Sequence, residues 1–110
     1  MGKTKISRDR KERRKMKKLK ILITRKRIIR EFAEEMARLQ KRADKYYYIN
    51  KDQEMSDFIL NYASEIKDFS KRLGICNEMY QEAYKIYDFT RSGKKDYTPS
   101  KEVLEMLRKS

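Results

Sequence analysis

The side chains with the clearest chemical role in this sequence are the Lys and Arg residues of its first thirty positions. Residues 1–30 carry fifteen basic side chains against two acidic ones, Asp9 and Glu12. Residues 31–110 carry fifteen of each sign, so the whole formal excess of +13 lies in the first segment. Blocks of like charge are typical of segments that bind polyanions, which predicts contacts with nucleic-acid phosphates. The candidate phosphate-binding residues are Arg8, Arg10, Lys11, Arg13, Arg14, Lys15, Lys17, Lys18, Lys20, Arg25, Lys26, Arg27 and Arg30.

Few other residues have the chemistry of a catalytic or metal site. The chain has no His, which removes the commonest general base and the commonest metal ligand. Cys76 is the only cysteine, so a zinc finger or ribbon is excluded. Adjacent carboxylates such as Glu34 and Glu35 lie among Lys and Arg, in a pattern typical of solvated helix faces. We therefore predict a protein that is not an enzyme and that holds no metal or cofactor.

A basic helix can also bind an anionic membrane surface, so the apolar residues near the basic block need a second interpretation. The first Phe is Phe32 and the chain has no Trp, so the block lacks the aromatic anchors of an interfacial helix. The most apolar run, residues 19–23, contains Lys20 and is far shorter than a membrane span of about 20 residues. We expect nucleic acid, not a membrane, to be the partner.

The compartment is indicated by the cysteine count and by the start of the chain. A lone Cys76 cannot form an intramolecular disulfide, and nothing near the N-terminus resembles an export signal. We predict an intracellular protein, in the cytoplasm or nucleoid, or a virion component, and not a secreted protein.

The elements that position the basic residues are predicted to be helices. Three Gly and one Pro provide too few turn signals for a many-stranded sheet, which favours an all-α fold. From about Arg8 to Tyr47 strong helix formers dominate, and no Gly or Pro interrupts them. Heptad spacing begins after residue 20, with Arg25 at one position that should be apolar. The two apolar series are Leu22, Ile29, Met36 and Ala43, and Phe32, Leu39 and Tyr46.

Three further helices are predicted after the connector that runs from Tyr46 to Asn50. Asp52 can cap a helix that ends near Leu73, before Gly74 and Ile75. Asn77 is a plausible cap for a third helix that extends to about Arg91, and Thr98 and Pro99 precede a short fourth helix. The second helix carries two apolar series: Met55, Tyr62 and Phe69, and Ile59, Ile66 and Leu73. In the third, Met79, Ala83, Ile86 and Thr90 form one stripe, beside Tyr80 and Tyr87; Val103, Leu104 and Leu107 belong to the fourth.

These patterns predict a small helical bundle with a basic arm. Residues 1–21 would form the arm and residues 22–110 the helical domain. The first two helices would pack as an antiparallel pair, and the third would cover their shared groove. A core of this size is marginal, so we expect self-association or a protein partner to engage the helical seams.

The tyrosine triplet Tyr46 to Tyr48 admits two interpretations. Exposed aromatic rings can stack on the bases of single-stranded nucleic acid. Tyrosines at a helix junction more often fill a corner of the core while their hydroxyls reach water, and we favour that packing role.

The stretch from Asn61 onward also has a recognisable pattern, read as Ala63-Ser64-Glu65-Ile66, Ser70, Leu73-Gly74-Ile75, Glu82-Ala83 and Ile86-Tyr87. Over roughly residues 55–98 it resembles the start of the first cyclin-like repeat in the archaeal transcription factor B and eukaryotic TFIIB family. The resemblance implies binding to promoter DNA beside the TATA box and contact with TATA-binding protein and RNA polymerase. The chain departs from the family in having no zinc ribbon and no second repeat, which implies a truncated relative or mimic, or the same helix arrangement reached independently.

The leading functional hypothesis is nucleic-acid binding by the basic arm, with duplex DNA favoured over RNA, in transcription or its regulation. Phosphate contacts position a protein without reading bases, so no sequence specificity is implied. A structural nucleoprotein that coats or packages nucleic acid, such as a viral capsid or nucleoid protein, would show much the same composition, as would a ribosome-bound protein. Stoichiometry on nucleic acid would separate these classes.

Overall fold

The protein is all-α in the computed structural model, as the sequence predicts. The structure describes the backbone of residues 2–110 and the side chains of residues 12–15 and 24–110. Four α-helices and one π-helical turn account for the regular structure, and no strand occurs in this part of the chain. The elements are α1 (Gly2–Asp44), the π turn (Lys45–Ile49), α2 (Gln53–Arg72), α3 (Cys76–Ile86) and α4 (Lys101–Lys109).

Helix α1 sets the shape of the molecule. Its 43 residues span about 65 Å at 1.5 Å per residue, and the whole molecule measures 74 × 26 × 21 Å. The helix begins at Gly2, earlier than the start near Arg8 that composition predicted. Ile29 is the first buried residue among the side chains that are described. The residues before Ile29 form a helical rod of about 40 Å, whose last turn, from Arg25, lies beside α3.

The C-terminal third of α1 is the centre of the core. Ile29, Met36 and Ala43 are buried, which confirms one predicted heptad series over these positions. Leu39 of the second series is also buried, whereas Phe32 and Tyr46 are only partly buried. Leu22, where packing was predicted to begin, has a side chain outside the described residues.

Helix α2 packs on α1 through small residues and only one of its two predicted apolar series. Small residues seven positions apart, Ser56, Ala63 and Ser70, are all buried, together with Ile59. Small side chains at a contact let two helix axes approach closely, and α2 packs chiefly against α1. Of the predicted series Ile59, Ile66 and Leu73, the first residue is buried and the second is partly buried against the core, which confirms these two positions. The other predicted series, Met55, Tyr62 and Phe69, lies at the rim together with Leu73, and each of these residues is 40% to 51% exposed.

The reversal between α1 and α2 is built around the π turn. The predicted connector proves to be a wider helical turn, closed by a hydrogen bond from the Asn50 N–H to the Lys45 carbonyl at 3.2 Å. Lys51 then takes a positive φ of 54°, which reverses the chain. The Asp52 side chain accepts a hydrogen bond from the Met55 N–H at 3.1 Å, so the predicted cap of α2 is confirmed.

The predicted stop of α2 is confirmed in detail. Gly74 has a φ of +71°, a conformation that costs L residues about 1 kcal/mol or more. The Ile75 N–H reaches the Ser70 carbonyl and the Gly74 N–H reaches the Lys71 carbonyl, both at 3.0 Å, which is the Schellman pattern. Ile75 is buried and provides the apolar contact of this motif.

Two predictions for α3 are wrong. The helix starts at Cys76, so Asn77 lies within its first turn and is not the cap. It ends at Ile86, five residues before Arg91, because Tyr87 adopts an extended conformation and turns into the core. Asp88 then accepts hydrogen bonds from the main-chain N–H and the hydroxyl of Thr90, a local turn that competes with helix formation. The predicted stripe therefore loses Thr90, and Ile86 is 55% exposed.

The position of α3 also differs from the prediction. It packs mainly along α1, with few contacts to α2, so it does not cover the groove between the first two helices. Helix α4 packs on the π turn, and its cap is Ser100, whose hydroxyl accepts a hydrogen bond from the Val103 N–H. Leu107 of this predicted helix is fully buried and packs in the core.

A buried carboxylate joins α1 to the segment after α3. Asp44 is 6% exposed and accepts hydrogen bonds from the Tyr87 hydroxyl at 2.5 Å and the Ser92 hydroxyl at 2.6 Å. Burial raises the pKa of Asp44 above its ordinary value, while the hydrogen bonds from Ser92 and Tyr87 lower it. No ion pair to Asp44 occurs among the described side chains, so the two hydroxyls solvate the charge.

Replacing Tyr87 by Phe should destabilise the fold. A hydrogen bond to a charged group contributes about 2 kcal/mol, and its loss leaves Asp44 buried with one donor. We expect Tyr87→Phe to lower the free energy of unfolding by about 2 kcal/mol in urea titrations. Tyr47→Phe, at a tyrosine that is 46% exposed, is the control and should change stability little. Equal effects of the two variants would contradict the role of the Asp44 cluster.

Asp44 also predicts a pH dependence of stability. The folded protein holds the Asp44 proton more tightly than the unfolded chain does, so its stabilising effect is complete below the ordinary pKa of 3.8 and is lost as pH rises through the raised pKa. The stability of Asp44→Asn relative to the natural chain should therefore rise with pH across this window.

The control for this pH series is Asp88→Asn. Hydrogen bonds from Thr90 lower the pKa of Asp88, so its carboxylate stabilises the fold above pH 3.8 and loses that effect as pH falls. Its variant should show a pH dependence of opposite sign. Urea unfolding at intervals from acid to neutral pH measures both, and slopes of the same sign would contradict the assignment.

Candidate nucleic-acid interface

All thirteen predicted phosphate-binding residues lie on α1. Seven of them have described side chains, and each of these is exposed: Arg13, Arg14, Lys15, Arg25, Lys26, Arg27 and Arg30. The other six, Arg8, Arg10, Lys11, Lys17, Lys18 and Lys20, share the helical backbone, and their side chains lie outside the described residues. The helix thus places the candidate residues along one axis rather than around a pocket.

The exposed basic residues point in every direction around the helix axis. Consecutive residues of an α-helix are rotated by about 100°, so Arg13, Arg14 and Lys15 alone cover more than half of the circumference. The same rotation spreads Arg25 to Arg27 around the axis, and Arg30 fills a gap between them. A surface of this kind can contact phosphates on more than one side of the rod.

Two of the basic residues are held by acids of the same chain. Arg25, which interrupts the apolar heptad series, forms an ion pair with Glu78 in the first turn of α3. Arg30 pairs with Glu34 one turn further along α1, with Nε and Oε1 3.3 Å apart. Arg25 and Glu78 are 44% and 52% exposed, so solvent screens this pair and its effect on stability is small.

The junction of α1 and α3 therefore carries mixed charge. Lys26 and Arg30 of α1 face Glu78 and Glu82 of α3 across a shallow groove. Glu82 is paired with Lys85, with Nζ and Oε1 3.0 Å apart. Of the seven described candidates, Arg13, Arg14, Lys15, Lys26 and Arg27 form no ion pair with another described side chain, so no described acid competes with an external anion for them.

Sequence analysis missed a second group of basic residues on α1 and the π turn. Lys41, Arg42 and Lys45 lie beside one another in a hollow that also contains Tyr46 and Asn50. Counting charge along the chain concealed this group, because residues 31–110 are balanced as a whole. The signal was the spacing of three and four residues, which places these side chains on one helix face.

The tyrosines of the triplet take packing roles. Tyr46 and Tyr48 are partly buried against the core, and Tyr47 is about half exposed. The ring of Tyr48 meets the rings of Tyr47 and Tyr97 edge to face at 4.8 and 5.8 Å between centroids. The Tyr48 hydroxyl accepts a hydrogen bond from the Gly93 N–H, and burial raises the pKa of Tyr48.

Other kinds of site find no support in the described part of the chain. No group of three His, Cys, Asp or Glu side chains there is placed to hold a metal ion. Within the same residues, every helix is too short or too polar to cross a membrane. Cys76 is partly buried at the start of α3.

Comparison with models of protein families, with curated proteins and with solved structures found no match to this chain. The resemblance to the transcription factor B and TFIIB family therefore stays a prediction from the residues of α2 and α3.

The ion pair between Arg25 and Glu78 predicts a gain of function. Glu78→Gln releases Arg25 for contact with phosphate, and we expect affinity for a short DNA duplex to rise about two- to fivefold, the equivalent of one exposed ion pair. Fluorescence anisotropy at fixed salt measures the change. Glu82→Gln is the matched control, because it removes the same charge from α3 but releases Lys85 instead. A rise of the same size in both variants would contradict a specific role for Arg25.

Proposed function

We propose that this chain binds nucleic acid, and duplex DNA in the first place, through phosphate contacts made by the basic part of α1. The observation that carries the proposal is the rod of about 40 Å before Ile29, whose described basic residues are exposed on all sides. A helix that only contributed to a protein core would keep one apolar face for packing. The charge balance of residues 31–110 assigns the attraction for polyanions to this rod.

The dimensions of the rod favour duplex DNA. An α-helix with its side chains is about 10–12 Å wide, and the major groove of B-DNA is about 12 Å wide. A helix in that groove has phosphates on both flanks, which suits basic residues that surround the axis. The deep and narrow major groove of duplex RNA does not admit a helix in this way, so we place duplex RNA second.

A role in transcription or its regulation rests on the resemblance of residues 55–98 to the transcription factor B and TFIIB family. The alternative is a structural nucleoprotein that coats or packages nucleic acid, and the elongated shape with a basic end favours it. A transcription factor should occupy one site per promoter and retain polymerase or TATA-binding protein on purification. A coating protein should saturate DNA at a fixed footprint with many copies, and a ribosome-bound protein should sediment with subunits.

Salt dependence tests the proposal directly. If about eight basic residues contact phosphates, the log of the association constant should fall with the log of salt concentration at a slope near −7. Replacing Arg13, Arg14 and Lys15 together by Ala should reduce the slope by about 2.7 and weaken binding at low salt at least tenfold. Anisotropy titrations between about 50 and 200 mM salt provide both numbers.

The control removes the same charge from the body of the protein. Lys94, Lys95 and Lys101 are exposed and lie beyond α3, so their joint replacement by Ala should leave the slope nearly unchanged. Binding that does not depend on salt, or equal losses in the two triple variants, would overturn the assignment to α1.

A further inference from the structure

One face of α2 is apolar and largely uncovered by the described residues of the chain. Five large side chains of this helix remain exposed to between 40% and 71% of their area. At 100° per residue they lie within an arc of about 60°, and they run the whole length of the helix. We call this surface the α2 outer face; it consists of Met55, Phe58, Tyr62, Phe69 and Leu73.

The α2 outer face is as large as the largest apolar patch of a typical monomer, and such patches are often functional. From the exposed fractions, its five side chains present roughly 500 Å² to solvent, near the upper limit of the largest patch on a typical monomer. Phe32 of α1 extends it, because its ring lies 5.8 Å from that of Phe69. With the stems of flanking charged residues, the surface approaches the area of about 800 Å² per partner that a stable interface requires.

We propose that the α2 outer face is a homodimer interface, in which the α2 helices of two copies pack antiparallel around a twofold axis near Ala63. A twofold interface brings the same surface of both copies together, so it must be complementary to itself. The charges beside the apolar face meet this condition on both α2 and α1.

On α2 the relevant charges are Glu54 and Arg72. They are separated by five full turns, so they lie on the same flank of the outer face at opposite ends of the helix. In an antiparallel pair each Glu54 meets the Arg72 of the second copy, and Ala63 lies midway between the two. A single interface therefore contains two symmetry-related pairs, each between Glu54 of one copy and Arg72 of the other.

On α1 the corresponding charges are Glu35 and Arg42. Glu35 is paired with Arg38 of its own helix, and its side chain is still 36% exposed. Glu35 lines the groove beside Tyr62 and Phe69. The point halfway along α1 between Glu35 and Arg42 lies between Arg38 and Leu39. The two helices run antiparallel, so a step of one residue towards the C-terminus of α1 corresponds to a step of one residue towards the N-terminus of α2. The contact between Phe32 and Phe69 therefore fixes which residues of the two helices lie opposite each other. That register places the α1 midpoint level with residues 62 and 63. Two independent charge pairs thus define the same axis.

The basic rods give a further reason for the antiparallel arrangement. In a parallel dimer the two α1 rods would leave the body in the same direction, so their like charges would repel along the whole length of the rods. In the antiparallel dimer the rods leave the body in opposite directions. Residues 14 of the two copies would then lie about 70 Å apart, where the repulsion is screened.

An antiparallel dimer presents one basic rod at each end. If the proposed function holds, such a dimer would bridge two separate DNA segments rather than grip one site with both rods. The dimer itself does not depend on nucleic-acid binding, so the two proposals can fail separately.

The first experiment measures the oligomeric state of nuclease-treated full-length protein by sedimentation equilibrium. We expect a species of twice the chain mass of 13.5 kDa. Phe58→Glu should raise the dimer dissociation constant at least tenfold, because Phe58 is 71% exposed and its replacement leaves the core intact. Ile86→Glu is the control, since Ile86 is 55% exposed but belongs to α3, and it should leave the constant unchanged. A monomer at every concentration, or equal effects of the two variants, would overturn the proposal.

The second experiment tests the orientation by crosslinking with a short bis-maleimide in a Cys76→Ser background. Tyr62→Cys places a thiol next to the axis and should give a crosslinked dimer. Met55→Cys should not, because the two thiols of an antiparallel pair would lie about 24 Å apart. Crosslinking of Met55→Cys, with or without crosslinking of Tyr62→Cys, would indicate a parallel pair and overturn the antiparallel proposal. Circular dichroism confirms that each variant retains its helices.

The third experiment links the dimer to DNA. Natural protein should retain a second duplex on beads that carry the first, whereas Phe58→Glu should bind single duplexes in anisotropy but lose the bridging. Loss of both binding and bridging in the natural protein would reject the proposed function and leave the sedimentation result intact. Bridging that survives in Phe58→Glu would contradict the role of the α2 outer face.

Discussion

The close packing of one long helix against two short ones is the constraint on which the rest of this structure depends. Ala33, Ala37 and Ala43 of α1 have little or no exposed area, and Ser56, Ala63 and Ser70 of α2 are also buried. Small residues on both sides bring the helix axes close, and this choice of face decides which apolar residues are left outside.

That anchoring separates two kinds of surface along one helix. After Ile29, α1 has an apolar stripe that packs in the core. The residues before Ile29 carry nearly all of the excess positive charge. The body therefore fixes the direction of the rod, and the composition of the rod fixes its charge. The cluster of Asp44, Tyr87 and Ser92 fixes the other end of α1 and ties the segment after α3 to it.

Local signals predicted the elements well where a single residue type controls the backbone. The Asp52 cap, the Gly74 stop and the all-α class all follow from such signals, and each is found in the structure. Prediction failed where a distant contact outweighed local preference. Asn77 is a good cap, yet α3 begins at Cys76, and Tyr87 leaves the helix because its hydroxyl reaches Asp44 across 43 residues of sequence.

The sequence by itself determined the charge division, the helical class and the candidate phosphate-binding residues, because composition and heptad spacing are local properties of the chain. Only the tertiary structure decided that Arg25 pairs with Glu78, that Lys41, Arg42 and Lys45 share one hollow, and that the α2 outer face stays uncovered. The physical reason is that a helix with both small and large apolar stripes can bury either one. The choice between them is made by the shape of the neighbouring helix, which no single segment of sequence contains.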